Sequence, residues 1–286
     1  MDIRGARKRL PVWARKRLGD PRDIHRIKAI LRSRGLHTVC ESARCPNIGE
    51  CFSKPTATFM ILGDACTRRC AFCGVGKGAV MPPDRDEPQN IAVTAKEMGL
   101  KHVVITSVTR DDLADGGADH FALTIRALKD TISGISVEVL TPDFKGCAYA
   151  LKTVLKAGPD IFNHNLETVR SLYGVVRPDA VYERSLEVLE RAKACGAFTK
   201  SGIMVGLGET GPEVRGLLGD LKSAGCDAVT IGQYLRPSLK NLEVRQYVPP
   251  EVFGEYEEYG HSIGIKNMYS GVFVRSSYNA EKLIGL

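Results

Sequence analysis

At 286 residues, with 43% hydrophobic and 26% charged side chains, the chain can bury a full core, fits one large α/β domain with appendages, and excludes disorder for most of its length. No apolar run is long enough to cross a bilayer and no export signal opens the chain, so the cytoplasm is expected, where nine cysteines serve as ligands or small buried hydrophobes rather than disulfides. The net charge of +7 is concentrated at one end: residues 1–39 hold nine Arg and three Lys against three Asp, leaving +9 there and about −2 for the rest.

Arg4, Arg7, Lys8, Arg9, Arg15, Lys16 and Arg17 form this basic arm. It reads as a solvated segment, a nucleic-acid contact or, the preferred hypothesis, a docking surface for an acidic protein. An organelle transit peptide would be Ser-rich, and the stretch has only Ser33. Pro11 and the Gly19-Asp20-Pro21 turn break the arm. Asp23 is placed to cap a helix in which Ile24, Ile27, Ile30 and Leu31 recur at helical spacing, ending at Gly35.

Six of the nine cysteines then fall in two triplets, Cys40-x4-Cys45-x5-Cys51 and Cys66-x3-Cys70-x2-Cys73, fourteen residues apart. The first, with Pro46 and Gly49, reads as a loop wrapped on its own ligands. The second follows a buried strand over Thr56–Leu62 that stops at Gly63-Asp64. Three thiolates in eight residues can take three irons of a cubane and leave the fourth iron open. A structural zinc site prefers C-x2–4-C pairs on a longer loop and four ligands, so the spacing favours iron and sulfur twice. Cys147, Cys195 and Cys226 carry no motif and are expected in the core.

Beyond a polar connection at Met81–Pro88, apolar runs alternate with helical stretches. Strands are expected over His102–Ser107, Ser136–Leu140, Asp160–Asn165, Thr199–Val205 and Ala228–Tyr234. Helices are expected over Ala118–Thr131, Ala148–Lys156, Tyr182–Ala194 and Glu213–Ala224. With the strand at Thr56 this is a parallel β/α succession that right-handed crossovers curl into a full or partial (β/α)6 TIM-like barrel. Reactive groups in such barrels sit at strand carboxyl ends, where Thr106, Ser107, Asn165, Glu167, Glu209 and Gln233 lie. Gly271–Tyr278 reads as a short terminal strand.

The second triplet, Cys66-Thr-Arg-Arg-Cys70-Ala-Phe-Cys73, resembles the signature of the radical S-adenosylmethionine superfamily. That resemblance implies a 4Fe-4S cluster whose open iron is chelated by S-adenosylmethionine, with Cys66, Cys70 and Cys73 as ligands and the protein supplying position and exclusion of water. Asn163-His-Asn-Leu-Glu-Thr168, followed by Tyr182-Glu-Arg184, is similar to the segment with which biotin synthase and its relatives hold the same molecule. It implies ribose contacts from Asn165 and Glu167 and a carboxylate contact from Arg184. Gly202-Ile-Met-Val-Gly-Leu-Gly-Glu209 is similar to the Gly-rich adenine-side strand, adding Glu209 to a candidate cofactor set that also holds Thr106 and Ser107.

The first triplet, Ala57–Leu62, Thr106-Ser-Val-Thr-Arg-Asp-Asp-Leu113, Gly232-Gln-Tyr-Leu235 and Arg275-Ser-Ser-Tyr278 all resemble the lipoyl synthase family, from about residue 24 to the end. In that family a second, auxiliary 4Fe-4S cluster is held by the residues matching Cys40, Cys45, Cys51 and Ser277. It is consumed as sulfur source when two sulfur atoms enter C6 and C8 of an octanoyl-lysine on a lipoyl-carrier protein. A serine ligand is harder and more easily protonated than thiolate and can therefore leave, exposing sulfide. The resemblance implies an octanoylated E2 lipoyl domain or glycine-cleavage carrier protein as substrate. It further implies a ferredoxin- or flavodoxin-like electron donor and a carrier that rebuilds the cluster.

Gly74, Ser42 and Asn241 depart from that family's usual Asp, Glu and His. The expected organisation is a basic extension with the first cysteine loop at 1–55, a radical partial barrel at 56–240 and a C-terminal extension at 241–286. Two alternatives are a biotin-synthase-type sulfur inserter, which lacks the first triplet and the Arg-Ser-Ser-Tyr tail, and a non-catalytic iron-sulfur regulator that binds nucleic acid. Against the latter, the arm has Trp13 as its only aromatic.

Overall fold

The computed structural model describes residues 10–16, 19–53 and 58–277. After a 3-10 turn at Val12–Ala14, helix α1 (Pro21–Ser33) leads to strand β1 (His37–Thr38) and short helices α2 (Val39–Ser42) and α3 (Ile48–Ser53). Strand β2 (Thr58–Ile61) precedes the short β3 (Ala65–Cys66) and β4 (Gly76–Lys77). Then follow α4 (Glu87–Glu97), β5 (His102–Ser107), α5 (Ala118–Thr131), β6 (Ser136–Leu140), α6 (Ala148–Lys156) and β7 (Ile161–Asn163). Next come α7 (Tyr173–Val176), α8 (Tyr182–Ala194), β8 (Thr199–Val205), α9 (Gly211–Ser223), β9 (Ala228–Gln233), α10 (Pro250–Ser262) and β10 (Asn267–Gly271).

The main sheet runs β1-β2-β5-β6-β7-β8-β9-β10. The bond pattern is parallel from β2 to β10, and β1 adds an antiparallel edge through His37 opposite Met60. Sequential order with helical crossovers makes an open-sided barrel, as the alternation predicted. Alternate residues point outward: Val103, Ile105, Val137 and Val139 pack under Phe121, Ile125 and Leu128 of α5. On the other side Ile203, Val205, Val229 and Ile231 pack under Leu217, Leu218 and Leu221 of α9 and Phe253 of α10. The inward set is more polar. Lys200 donates to both Glu138 carboxylate oxygens at 3.1 and 3.0 Å, and Asn163 Nδ2 donates to Oε1 at 2.8 Å, all three side chains buried.

Several local expectations are corrected. Asp20, not Asp23, caps α1, because Pro21 opens the helix and Asp20 Oδ1 accepts from the Arg22 backbone N–H at 2.8 Å. The first triplet is no loop: Cys40 lies in α2, Cys51 in α3 and Cys45 in the turn between them. Helix α9 starts two residues before Glu213, because Thr210 and Glu213 form a capping box. The terminal strand ends at Gly271 rather than beginning there, and the chain then turns, with Val274 N–H bonding Gly271 O at 3.0 Å. β10 therefore belongs to the same sheet as β9. Cys147 and Cys195 are exposed; of the three unassigned cysteines Cys226 alone is buried. Thr56, Ala57 and Tyr278 lie outside the described residues, as do Arg4, Arg7, Lys8, Arg9 and Arg17.

Candidate functional site: two cysteine groups at one barrel mouth

The second triplet leaves the carboxyl end of β2 and is held from every side. Cys66 Sγ accepts the backbone N–H of Arg68 at 3.4 Å and of Thr109 at 3.3 Å. The Arg68 guanidinium, 4% exposed, clamps Asp111 through two bonds at 2.7 and 3.0 Å and reaches Asp143 at 2.5 Å. This explains why Arg68 and the Thr-Arg-Asp-Asp run occur in one chain: a planar fork needs carboxylates it can bind in pairs. On the far side Asn241 Nδ2 donates to Cys73 O at 2.8 Å and to Ala71 O at 3.3 Å. Asn241 is thus a clamp on the cysteine loop, which resolves its departure from the family pattern.

Across the mouth, the segment after β7 returns onto β8: Glu167 N–H bonds Gly202 O at 3.0 Å and Met204 N–H bonds Glu167 O at 2.9 Å. Glu167 is held at φ 67°, a left-handed conformation unusual outside glycine and concentrated at functional sites. Asn165 Nδ2 donates to Glu167 Oε1 at 3.0 Å, so the two residues expected to hold a ribose form one unit. Buried Arg177 braces it from behind, donating to Asn165 O at 2.9 Å and Leu166 O at 3.1 Å. Arg184 faces Asp143 at 3.6 Å on the edge of this region, rather than open solvent. Thr106 donates to Leu140 O at 3.0 Å. Glu209 accepts the backbone N–H groups of Gly206, Leu207 and Gly208, so its carboxylate is engaged by its own turn. Gln233 bonds Val205, Tyr234, Gln246 and Val248 backbone groups and is a structural strut.

The segments that carry the two triplets meet at their flanks. A Cβ on Gly74 would stand 2.7 Å from Ser42 O, so the glycine after the second triplet lets the first triplet's helix approach. Arg44 donates to Pro237 O at 3.3 Å. Asn47, 1% exposed, ties three segments together: its Nδ2 donates to Phe273 O at 2.8 Å in the C-terminal tail, while its Oδ1 accepts from Lys16 Nζ at 2.7 Å. Lys16 also pairs with Glu50 at 2.7 Å, so this part of the basic arm is docked on helix α3 beside Cys51. The tail itself carries Arg275, Ser276 and Ser277 to the barrel mouth, where Ser276 Oγ donates to Asn165 Oδ1 at 2.9 Å.

The electrostatics single out the same groups. Burial pushes the Cys40 and Cys73 thiols up to about 12 and raises Cys70 as well, helped by neighbouring thiols. Such thiols become good ligands when a cation replaces the proton. Burial alone would raise Asp143, but the Arg68 bond and charge outweigh it and hold the carboxyl at about 2. Burial, with Arg177 close, takes His164 down to about 4. Its Nδ1 is 2.8 Å from Thr141 O and so carries the proton, leaving Nε2 as a lone-pair acceptor. Burial also raises Glu167.

These residues fit an iron-sulfur cluster and a polar cofactor. Among the described residues no three His, Cys, Asp or Glu side chains converge on one point as a single zinc ion requires. A cubane places each iron at its own corner and needs no such convergence. Ser107 Oγ, Thr141 Oγ1, Thr168 Oγ1 and His164 Nε2 are buried without hydrogen-bond partners. An orphaned buried polar group costs about 1–3 kcal/mol, so a ring of them around a barrel mouth suits a hydrogen-bonding ligand. The sequence reading missed Arg68, Asp111, Asp143, Arg177 and Asn47. The available signal for Arg68, Asp111 and Asp143 was a charge beside a strand end or between cysteines; Asn47 and Arg177 offered none.

Residues 60–221 match the family model described as the radical SAM superfamily, and residues 2–45 match the N-terminal domain of lipoyl synthase of that family. A lipoyl synthase of Oleidesulfovibrio alaskensis is 53% identical over 276 residues, covering 96% of this chain and 95% of that protein. One of Caldanaerobacter subterraneus subsp. tengcongensis is 54% identical over 275 residues, covering 96% of each. In fold, the chain is similar to Streptococcus suis SuiB bound to S-adenosylmethionine, with TM-score 0.58, 12% identity, and 78% of this chain and 52% of that one covered. It is also similar to methylornithine synthase (PylB), with TM-score 0.51, 14% identity and 92% and 84% covered.

Proposed function

The chain belongs to the lipoyl synthase family of radical S-adenosylmethionine enzymes, and on that premise we propose how its own residues divide the reaction. The second triplet, Cys66, Cys70 and Cys73, holds the cluster that works with S-adenosylmethionine. Cys40, Cys45, Cys51 and Ser277 hold an auxiliary 4Fe-4S cluster. When bound, the first of these clusters would reduce two S-adenosylmethionine molecules in turn, giving one deoxyadenosyl radical to remove a hydrogen at C6 and one at C8 of a protein-bound octanoyl-lysine, and the auxiliary cluster would supply the two sulfur atoms that replace them.

Arg68 and Asn241 fix the loop that carries the second triplet. Asn165 and Glu167 hold the ribose and Arg184 the carboxylate of S-adenosylmethionine, with Arg177 bracing the backbone between them. Thr106 and Ser107 line the same mouth, and Glu209 keeps the glycine turn in shape. Ser277 supplies the releasable ligand. The observation that carries this reading is the close approach of the segments that carry the two cysteine groups, at Gly74 and Ser42, because radical formation and sulfur delivery must act on one acyl chain.

Among the described residues no helix is long and apolar enough to cross a membrane. Nine free cysteines suit a reducing, cytoplasmic setting. The basic arm would steer an acidic octanoylated carrier, an E2 lipoyl domain or a glycine-cleavage protein, toward the mouth. A ferredoxin or flavodoxin would supply electrons and a separate carrier would rebuild the spent cluster.

The test uses reconstituted, oxygen-free protein and an octanoylated peptide. Ser277→Ala is expected to cleave S-adenosylmethionine without completing lipoyl product, while Cys70→Ala should form no deoxyadenosine yet keep about half of the roughly eight irons. Full lipoyl product from the first variant, or retained cleavage by the second, refutes the division.

A further inference from the structure

The C-terminal tail enters the barrel mouth where two strands carry no side chain. On β8, a Cβ at Gly202 would stand 2.5 Å from Ser276 Oγ and 2.9 Å from Asn165 Oδ1. On β9, a Cβ at Gly232 would stand 2.1 Å from Val274 O and 2.9 Å from Arg275 Nη1. Real Cβ atoms do not approach other atoms that closely, and at Gly232 the obstacle is tail backbone while at Gly202 it is the Ser276 and Asn165 side chains, so both positions are shaped for the tail. The sequence reading gave Gly202 to an adenine ring; the cradle there holds Ser276.

Ser276 is placed to act through its neighbour. Its hydroxyl donates to Asn165 Oδ1 at 2.9 Å, and that bond turns the amide so that Nδ2 donates to Glu167 Oε1 at 3.0 Å. One hydroxyl therefore sets the rotamer of both groups read as ribose contacts. Ser277 follows Ser276, and consecutive Cα atoms are about 3.8 Å apart. With Ser277 as an iron ligand, its departure would pull on the same bond.

We propose that Ser276 is a positioning residue that couples the tail to the nucleoside site. S-adenosylmethionine binds best while the tail is seated, and its binding in turn holds the tail in place. This deepens the reading above and rests on Asn165 as a ribose contact and Ser277 as a ligand. Coupling between two sites is reciprocal by thermodynamic necessity. One half-buried neutral hydrogen bond sets its size at about fivefold in affinity.

The experiment measures S-adenosylmethionine affinity by equilibrium dialysis on unreduced, fully reconstituted protein, with iron counted in each sample. Ser276→Ala is expected to bind about fivefold more weakly with its iron unchanged, and Ser276→Thr to recover most of that loss. Asn165→Ala combined with Ser276→Ala should bind no worse than Asn165→Ala alone, because the pair acts through one bond. Hydrogen exchange in the tail should slow on adding S-adenosylmethionine to the natural protein and not to Ser276→Ala.

If Ser276→Ala binds within about twofold of the natural protein while Asn165→Ala is weakened, the coupling is refuted and the ribose reading stands. If Asn165→Ala itself binds normally, the ribose reading falls and takes the proposal with it. Iron loss from Ser276→Ala would make Ser276 part of the cluster holder and also overturn the proposal.

Discussion

Replacing Arg68 by Met tests whether the clamp on the second cysteine loop is electrostatic or only steric. Arg68 joins Asp111 at 2.7 Å and Asp143 at 2.5 Å, and Asp143 is fully buried. Methionine keeps most of the volume but strands the Asp143 carboxylate, leaving Arg184 at 3.6 Å as its remaining cation. Breaking a buried pair by removing one partner costs about 3–5 kcal/mol. Arg184 compensates in part, so about 3 kcal/mol is expected. At about 2–4 °C per kcal/mol for a chain near this size, that is a fall in Tm of roughly 6–12 °C. Anaerobic thermal unfolding of the reconstituted protein, with iron counted before heating, reads both the loss and any loosening of the loop. Arg68→Met combined with Asp143→Asn removes the stranded charge and should recover a good part of the loss. A single variant that melts within about 2 °C of the natural protein, or a double variant no better than the single, refutes the reasoning.

Lys200→Met should cost about 3–5 kcal/mol in urea unfolding, and adding Glu138→Leu should restore most of it, because the buried pair is costly only when half removed. Equal losses in the single and double variants would contradict this. Gly232→Ala drives a Cβ into Val274 O and should expel the tail, lowering iron from about eight toward about four per chain while the second triplet keeps its cluster. Retention of full iron content speaks against the cradle. His164 titrates at about 4 when folded against about 6.5 when unfolded. The unfolded state therefore binds more protons between those values, and stability falls as pH drops through that window. Between pH 7 and 5 the natural protein should lose about 2 kcal/mol more than His164→Gln, and parallel pH curves would show that His164 is not held neutral.

The strands at His102, Ser136 and Thr199 and the helices at Ala118, Ala148 and Tyr182 were legible from period alone, because each buries one face on its neighbours. Helices α4 and α10 escaped because each begins behind a Pro-rich polar stretch, which reads as a connection. The first triplet read as a loop because Pro46 and Gly49 are breakers, yet α2 and α3 form around them on caps and packing that no window of that length contains. Arg68 looked like one of two adjacent arginines. Its partners Asp111 and Asp143 lie 43 and 75 residues away.

The family and the cysteine sets follow from sequence alone, because ligand spacing is a local property that a few residues can state. Which polar groups do the work is a different matter. That Asn165 rests on Ser276 across 111 residues and that Gly202 makes room for the tail depend on chain segments meeting in space. Hydrogen bonds act over about 3 Å and have no memory of sequence distance, so only the folded barrel decides them.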